Sequence, residues 1–97
     1  MKVRYTRPAL ADLDAILDYI DAQSPRAAKR VHAKIKSMID LLLSYPLVGA
    51  KTDDPAIRRL VVTPYPYLVF YEPTADEIII HAIRHAARKP PLPSGAL

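Results

Sequence analysis

The side chains suited to hold a phosphate or move a proton gather in the second half of this 97-residue chain. Arg58, Arg59, Arg84, Arg88 and Lys89 are cations for an anionic group, and His85 or Tyr71 could transfer a proton beside them. A carboxylate base is harder to find, because the only glutamates, Glu72 and Glu77, flank the turn-like Pro73-Thr74-Ala75-Asp76 stretch. His32 and His81 each stand without a carboxylate or second histidine at ligand spacing, and there is no cysteine, so no metal site and no cofactor are expected. His85 sits at a strand end, where a hydrogen-bonded structural histidine is as common as an active one. Arg58 and Arg59 would alternate across a strand, one toward the core and one toward solvent or a partner.

The elements that must position these groups follow from periodicity. Residues 2 to 6 alternate charge with Val3 and Tyr5, which predicts a short strand. Thr6 and Pro8 then start a helix with the stripe Leu10, Leu13, Ile16, Leu17 and Ile20, and with Asp12, Asp14, Asp18 and Asp21 on its remaining face. Ser24-Pro25 repeats the start signal for a second helix, with Ala28, Val31, Ile35, Met38, Ile39 and Leu42 inward and Arg26, Lys29, Arg30, Lys34 and Lys36 outward. Only Ala22 and Gln23 separate the two periodic segments, so they form an antiparallel hairpin, and Tyr45-Pro46 ends it.

Gly49 to Pro55 reads as loop, and three β-rich runs follow at Ile57–Val62, Tyr67–Tyr71 and Glu77–Arg84. Hairpin-length separators make neighbouring strands antiparallel. The expected fold is α+β with the order β-α-α-β-β-β: an N-terminal strand and a helical hairpin packed on a small antiparallel sheet. Leu68 and Phe70 should point opposite to Tyr67, Val69 and Tyr71, and Ile78 and Ile80 opposite to Ile79 and Ile83. Two helices cannot easily cover both faces of such a sheet. Either part of it awaits a partner or loops pack over the central strands.

Composition limits the remaining classes. The chain has room for one domain, expected over residues 1–90, with an extended or mobile tail over 91–97, where Pro, Ser and Gly break any periodicity. A hydrophobic share of 51% excludes a disordered or collagen-like chain. The apolar runs Leu41-Leu42-Leu43 and Ile78-Ile79-Ile80 are too short to span a bilayer, and no signal-like run follows Met1-Lys2-Val3-Arg4, which predicts a cytoplasmic protein without a membrane partner. The net charge of +4 is unevenly spread, acidic on the first helix and basic on the second and from Arg84 to Lys89. A solvated face explains the basic second helix more readily than a DNA-binding stripe, and the acidic first helix would repel a duplex laid across the hairpin.

The element order and its punctuation resemble the RelE/ParE superfamily of bacterial type II toxins, and its ParE-like branch in particular. The matching residues run from Val3-Arg4-Tyr5-Thr6-Arg7-Pro8-Ala9 and Ala11-Asp12-Leu13 through Tyr19-Ile20 to Tyr45-Pro46-Leu47-Val48-Gly49. They continue in Ile57-Arg58-Arg59-Leu60, in Pro64-Tyr65-Pro66-Tyr67-Leu68-Val69-Phe70-Tyr71, and in Ile83-Arg84-His85-Ala86-Ala87-Arg88-Lys89-Pro90. The resemblance implies a growth-arresting toxin that inhibits DNA gyrase by binding, without chemistry of its own. It also implies a cognate ParD-like antitoxin in a toxin–antitoxin hetero-oligomer, with DNA reached only through the antitoxin or gyrase. Residues for target or antitoxin contact are then Arg58, Arg59, Tyr67, Arg84, His85, Arg88 and Lys89. The alternatives are a RelE-like ribosome-dependent mRNA endoribonuclease, using Arg58, Arg59, Tyr71, His85 and Arg88, or a degenerate toxin that keeps only antitoxin binding. Two departures count against the nuclease: the Gly49–Pro55 loop has one lysine beside two aspartates, and Tyr67 stands where the superfamily often has arginine.

Overall fold

One threonine and one serine set where the helices begin. The computed structural model describes residues 1–87; the expected tail over 91–97, Arg88 and Lys89 lie outside the described residues. Thr6 Oγ1 accepts from the Ala9 amide at 3.2 Å, and Ser24 Oγ accepts from the Ala27 amide at 3.1 Å. Each cap satisfies an amide that a helix start leaves without an intrahelical partner, and proline in the first turn has no such amide to lose. The elements are β1 (Lys2–Tyr5), α1 (Arg7–Asp21), α2 (Pro25–Leu41), β2 (Ala50–Lys51), β3 (Arg58–Val61), β4 (Tyr67–Pro73) and β5 (Glu77–His85).

The α+β order is as expected, with three corrections. First, the sheet runs β1-β5-β4-β3-β2 and is mixed, because β1 lies parallel to β5 while the other pairs are antiparallel. A parallel neighbour needs a long crossover, which the helical hairpin and the returning strands together supply. Second, the short edge strand β2 lies inside the segment read as loop, pairing Ala50 with Arg59 and Lys51 with Arg58. Third, α2 stops at Leu41, one turn ahead of Tyr45. The chain there tightens into bonds of the 3₁₀ kind, from the Leu42, Leu43 and Ser44 amides to the Ile39, Asp40 and Leu41 carbonyls.

Both helices pack on one face of the sheet. Val31, Ile35, Ile39 and Leu42 join Leu60, Val62, Tyr67, Val69, Tyr71, Ile78, Ile80 and Ile83 in a single buried cluster. The α1 stripe is shallower: Ala9 is fully buried, Leu13, Ile16, Leu17 and Ile20 are half-buried, and Leu10 is exposed. No helix among the described residues is long and apolar enough to cross a membrane.

The facing of Ile83 departs from simple alternation. Phe70 pairs with Ala82 but Tyr71 pairs with Ile80, so His81 has no partner on β4 and forms a β-bulge. The extra residue shifts the period, and Ile83 joins Ile78 and Ile80 in the core.

Ile35 is fully buried at the centre of this cluster. Ile35→Ala should therefore cost about 2–5 kcal/mol in urea unfolding, whereas Leu10→Ala should cost under about 1 kcal/mol because little surface is lost.

Candidate functional site

Alternation along the strands that send Leu60, Val69, Tyr71, Ile78 and Ile80 to the helices turns their neighbours to the opposite face. Across that face the register runs Val61–Leu68–Arg84 in one row and Arg59–Phe70–Ala82 in the next, then Glu72–Ile79–Arg4. Val61 is 47% exposed, and Leu68 and Phe70 are half-buried although no helix lies over them. This is an apolar strip with charged ends. The Arg59 side chain has no hydrogen-bond or ion-pair partner among the described residues.

Two polar pairs lie on this face among the described residues. His81, next to core-facing Ile80, points outward, and its Nε2 lies 2.8 Å from Glu72 Oε1, with both side chains about one-third exposed. A carboxylate beside one ring nitrogen orients the imidazole and leaves the other nitrogen for proton exchange. Sequence reasoning passed over this pair because its members stand on neighbouring strands and meet only through the register. Beside it, Arg4 donates through Nε and Nη2 to the two Glu77 oxygens at 3.0 and 3.3 Å. That hydrogen bonding holds the Glu77 carboxyl below its usual range and raises the Arg4 guanidinium.

Asp12 of α1 fastens the end of β5. The β1 ladder stops at Tyr5 opposite Ile80, and beyond it Asp12 Oδ2 accepts from the Ile83 amide at 3.0 Å while Oδ1 lies 3.6 Å from Arg84 Nη1. A carboxylate here replaces a missing strand partner.

The residues singled out from the sequence fall into three places. Arg59 and Arg84 share the open face. Tyr67 is buried and His85 lies opposite it in the register, their rings in edge-to-face contact at 5.3 Å on the side of the helices; His85 Nδ1 accepts from the Ala87 amide. Tyr71 and Arg58 hold the loop after α2. The fully buried Tyr71 hydroxyl donates to the Pro46 carbonyl at 2.8 Å and accepts from the Gly49 amide at 2.9 Å. Arg58 Nη1 donates to the Leu47 and Gly49 carbonyls at 3.1 and 2.8 Å. A side chain at Gly49 would stand 2.7 Å from that hydroxyl and 2.8 Å from the Arg59 carbonyl oxygen, so only glycine lets the loop approach so closely. Among the described residues no group of three or more His, Cys, Asp or Glu is placed to hold a metal.

Two outcomes follow. Tyr71→Phe strands a buried amide and a carbonyl, and should cost about 1–3 kcal/mol in urea unfolding with faster hydrogen exchange at the Gly49 amide. The lowered Glu77 pKa means the folded protein binds fewer protons than the unfolded chain across the carboxylate range, so this pair stabilises above that range and its contribution is lost as pH falls. Glu77→Gln should accordingly melt below the parent protein at neutral pH, and the two melting curves should converge in acid.

The comparisons with known proteins agree with one another. The family described as ParE toxin of type II toxin-antitoxin system, parDE, matches residues 3–90. Toxin RelE2 of Caulobacter vibrioides is 44% identical over 87 residues, covering 90% of this chain and 97% of the relative. The protein Y4kP of Sinorhizobium fredii is 36% identical over 90 residues, covering 93% of each. A solved structure described as the chromosomal ParDE TA system from P. aeruginosa superposes with a TM-score of 0.75 at 28% identity, covering 88% of this chain and 95% of the other.

Proposed function

Because the chain belongs to the ParE toxin family of type II toxin–antitoxin systems, we propose that it arrests growth by inhibiting DNA gyrase and is neutralised by a ParD-like antitoxin in a hetero-oligomer. The observation that supports this reading is the sheet face without helices, where exposed Val61 and half-buried Leu68 and Phe70 adjoin Arg59, whose side chain has no partner among the described residues. A contiguous apolar strip rimmed by charge suits a protein partner. An antitoxin that covers this strip with an extended segment, folding as it binds, neutralises the toxin by occupying the surface its target needs. The solved relative is described as a ParDE system, which supports an antitoxin partner. Arg59 and Arg84 are the contact residues this reading favours, ahead of Arg58, Tyr67 and Tyr71, whose side chains serve the loop and the core.

A second reading, ribosome-dependent mRNA cleavage, draws on one observation. The Glu72 carboxylate orients His81, whose other ring nitrogen has no partner among the described residues. Such a dyad can take a proton from a 2′-hydroxyl, with Arg59 near enough in the register to meet a phosphate.

One experiment separates the two. Purified protein added to a gyrase supercoiling reaction should block it or trap cleaved DNA, and the antitoxin encoded beside it should restore activity. Unchanged supercoiling, with mRNA cut on the ribosome by the parent protein and not by His81→Ala, replaces the gyrase reading with the nuclease. Expression without any effect on growth points to a degenerate toxin.

A further inference from the structure

The basic face of α2 divides into two rows. Toward α1, Lys29 and His32 share a crevice with Asp18 and Asp21, and Lys36 pairs with Asp40 at 3.1 Å, so acids offset that row. On the other row Arg30, Ala33, Lys34 and Ser37 recur at helical spacing and border a shallow basin of about 510 Å³, completed by Pro64 and Tyr65 from the β3–β4 turn. No carboxylate lines it among the described residues, and neither the Arg30 nor the Lys34 side chain has an ion-pair partner there. The acidic face of α1, which would oppose a polyanion on the hairpin, borders the other row.

We propose that this basin binds unpaired nucleotides of a nucleic-acid strand, with phosphates on Arg30 and Lys34 and a base against Tyr65 and Pro64. Cations alone would accept any polyanion. What selects a nucleic acid is the apolar and aromatic surface beside them, since every base offers a flat face to stack and a carboxylate side chain does not. A duplex keeps its base faces stacked inside, so an unpaired stretch fits better. The inference goes beyond the gyrase reading, because it places nucleic acid on this chain itself and stands whichever target is correct.

The test is fluorescence anisotropy with the full chain and short labelled oligothymidylate and oligouridylate, against a duplex of equal length and a polyglutamate competitor. The single strands should bind more tightly than the duplex, and preference for either sugar identifies the polymer and upholds the proposal. Arg30→Ala with Lys34→Ala should weaken binding about tenfold or more, and flatten the slope of log affinity on log salt by about 1.4, the value for two phosphates on a single strand. Tyr65→Phe should bind like the parent, while Tyr65→Ser should lose about fivefold or more with the salt slope unchanged. Tyr65 also packs against the core, so a thermal melt accompanies that variant, and the Arg30/Lys34 pair carries the test if it is unfolded. Unaltered binding by the double variant, or duplex or polyglutamate bound as tightly as the single strands, overturns the proposal and leaves the supercoiling result untouched.

Discussion

β5 must satisfy its backbone on two edges that demand different partners, and the rest of the molecule is arranged around that demand. On one edge it pairs with β4 from Ile78 to His85, interrupted only by the bulge at His81. On the other it has β1 only from Glu77 to Ile80, after which β1 turns through Thr6 into α1. Thr6 closes this corner twice, donating its amide to the Ile80 carbonyl and accepting from Ala9 at the helix start. The Ile83 amide beyond the corner would otherwise be unpaired in a partly buried position, a loss comparable to a hydrogen bond. Asp12 supplies the acceptor. One residue of α1 thus ties the helical layer to β5 and holds Arg84 at the end of the open face.

The bulge at His81 has consequences on both faces. Without it, strict alternation from Ile80 would turn the side chain of Ile83 out of the core and put the small Ala82 in its place. With it, Ile78, Ile80 and Ile83 pack under the helices, and His81 meets Glu72 on the opposite side. The open face is therefore a by-product of how few elements the chain contains: its two helices pack into the single core, on one side of the five-stranded sheet. A chain of 97 residues that leaves Val61, Leu68 and Phe70 without a helix over them gains stability when a partner covers them.

Much of this was legible from residue types. The caps at Thr6 and Ser24 with their prolines, the stripe of α2 and the alternating strands each carry a local signal, and each element formed close to its expected place. What could not be read depends on contacts between distant segments. The parallel pairing of β1 with β5 has no local signature, and neither does the bulge, since Ile79, Ile80 and His81 fit an unbroken strand equally well. Glu72 and His81 look isolated until the register joins them. Tyr71 and Arg58, read as groups for chemistry, have the right types for it, but the fold spends the first in the core and the second on the carbonyls of a loop that Gly49 brings close. Arg59, the neighbour of Arg58 by one position, points the other way and keeps its charge for the surface.

The proposed function requires the face without helices to be the partner-binding face. Methyl NMR of the labelled protein titrated with the antitoxin encoded beside it tests this most directly, because methyl groups report faces separately. Shifts concentrated at Val61, Leu68 and Ile79, with the methyls of Ile35 and Val69 nearly unmoved, are the predicted result. Shifts confined to Leu10, Leu13 and Leu17 on the helical hairpin, or to Leu47 and Val48 in the loop, with Val61 and Leu68 unchanged, would contradict it.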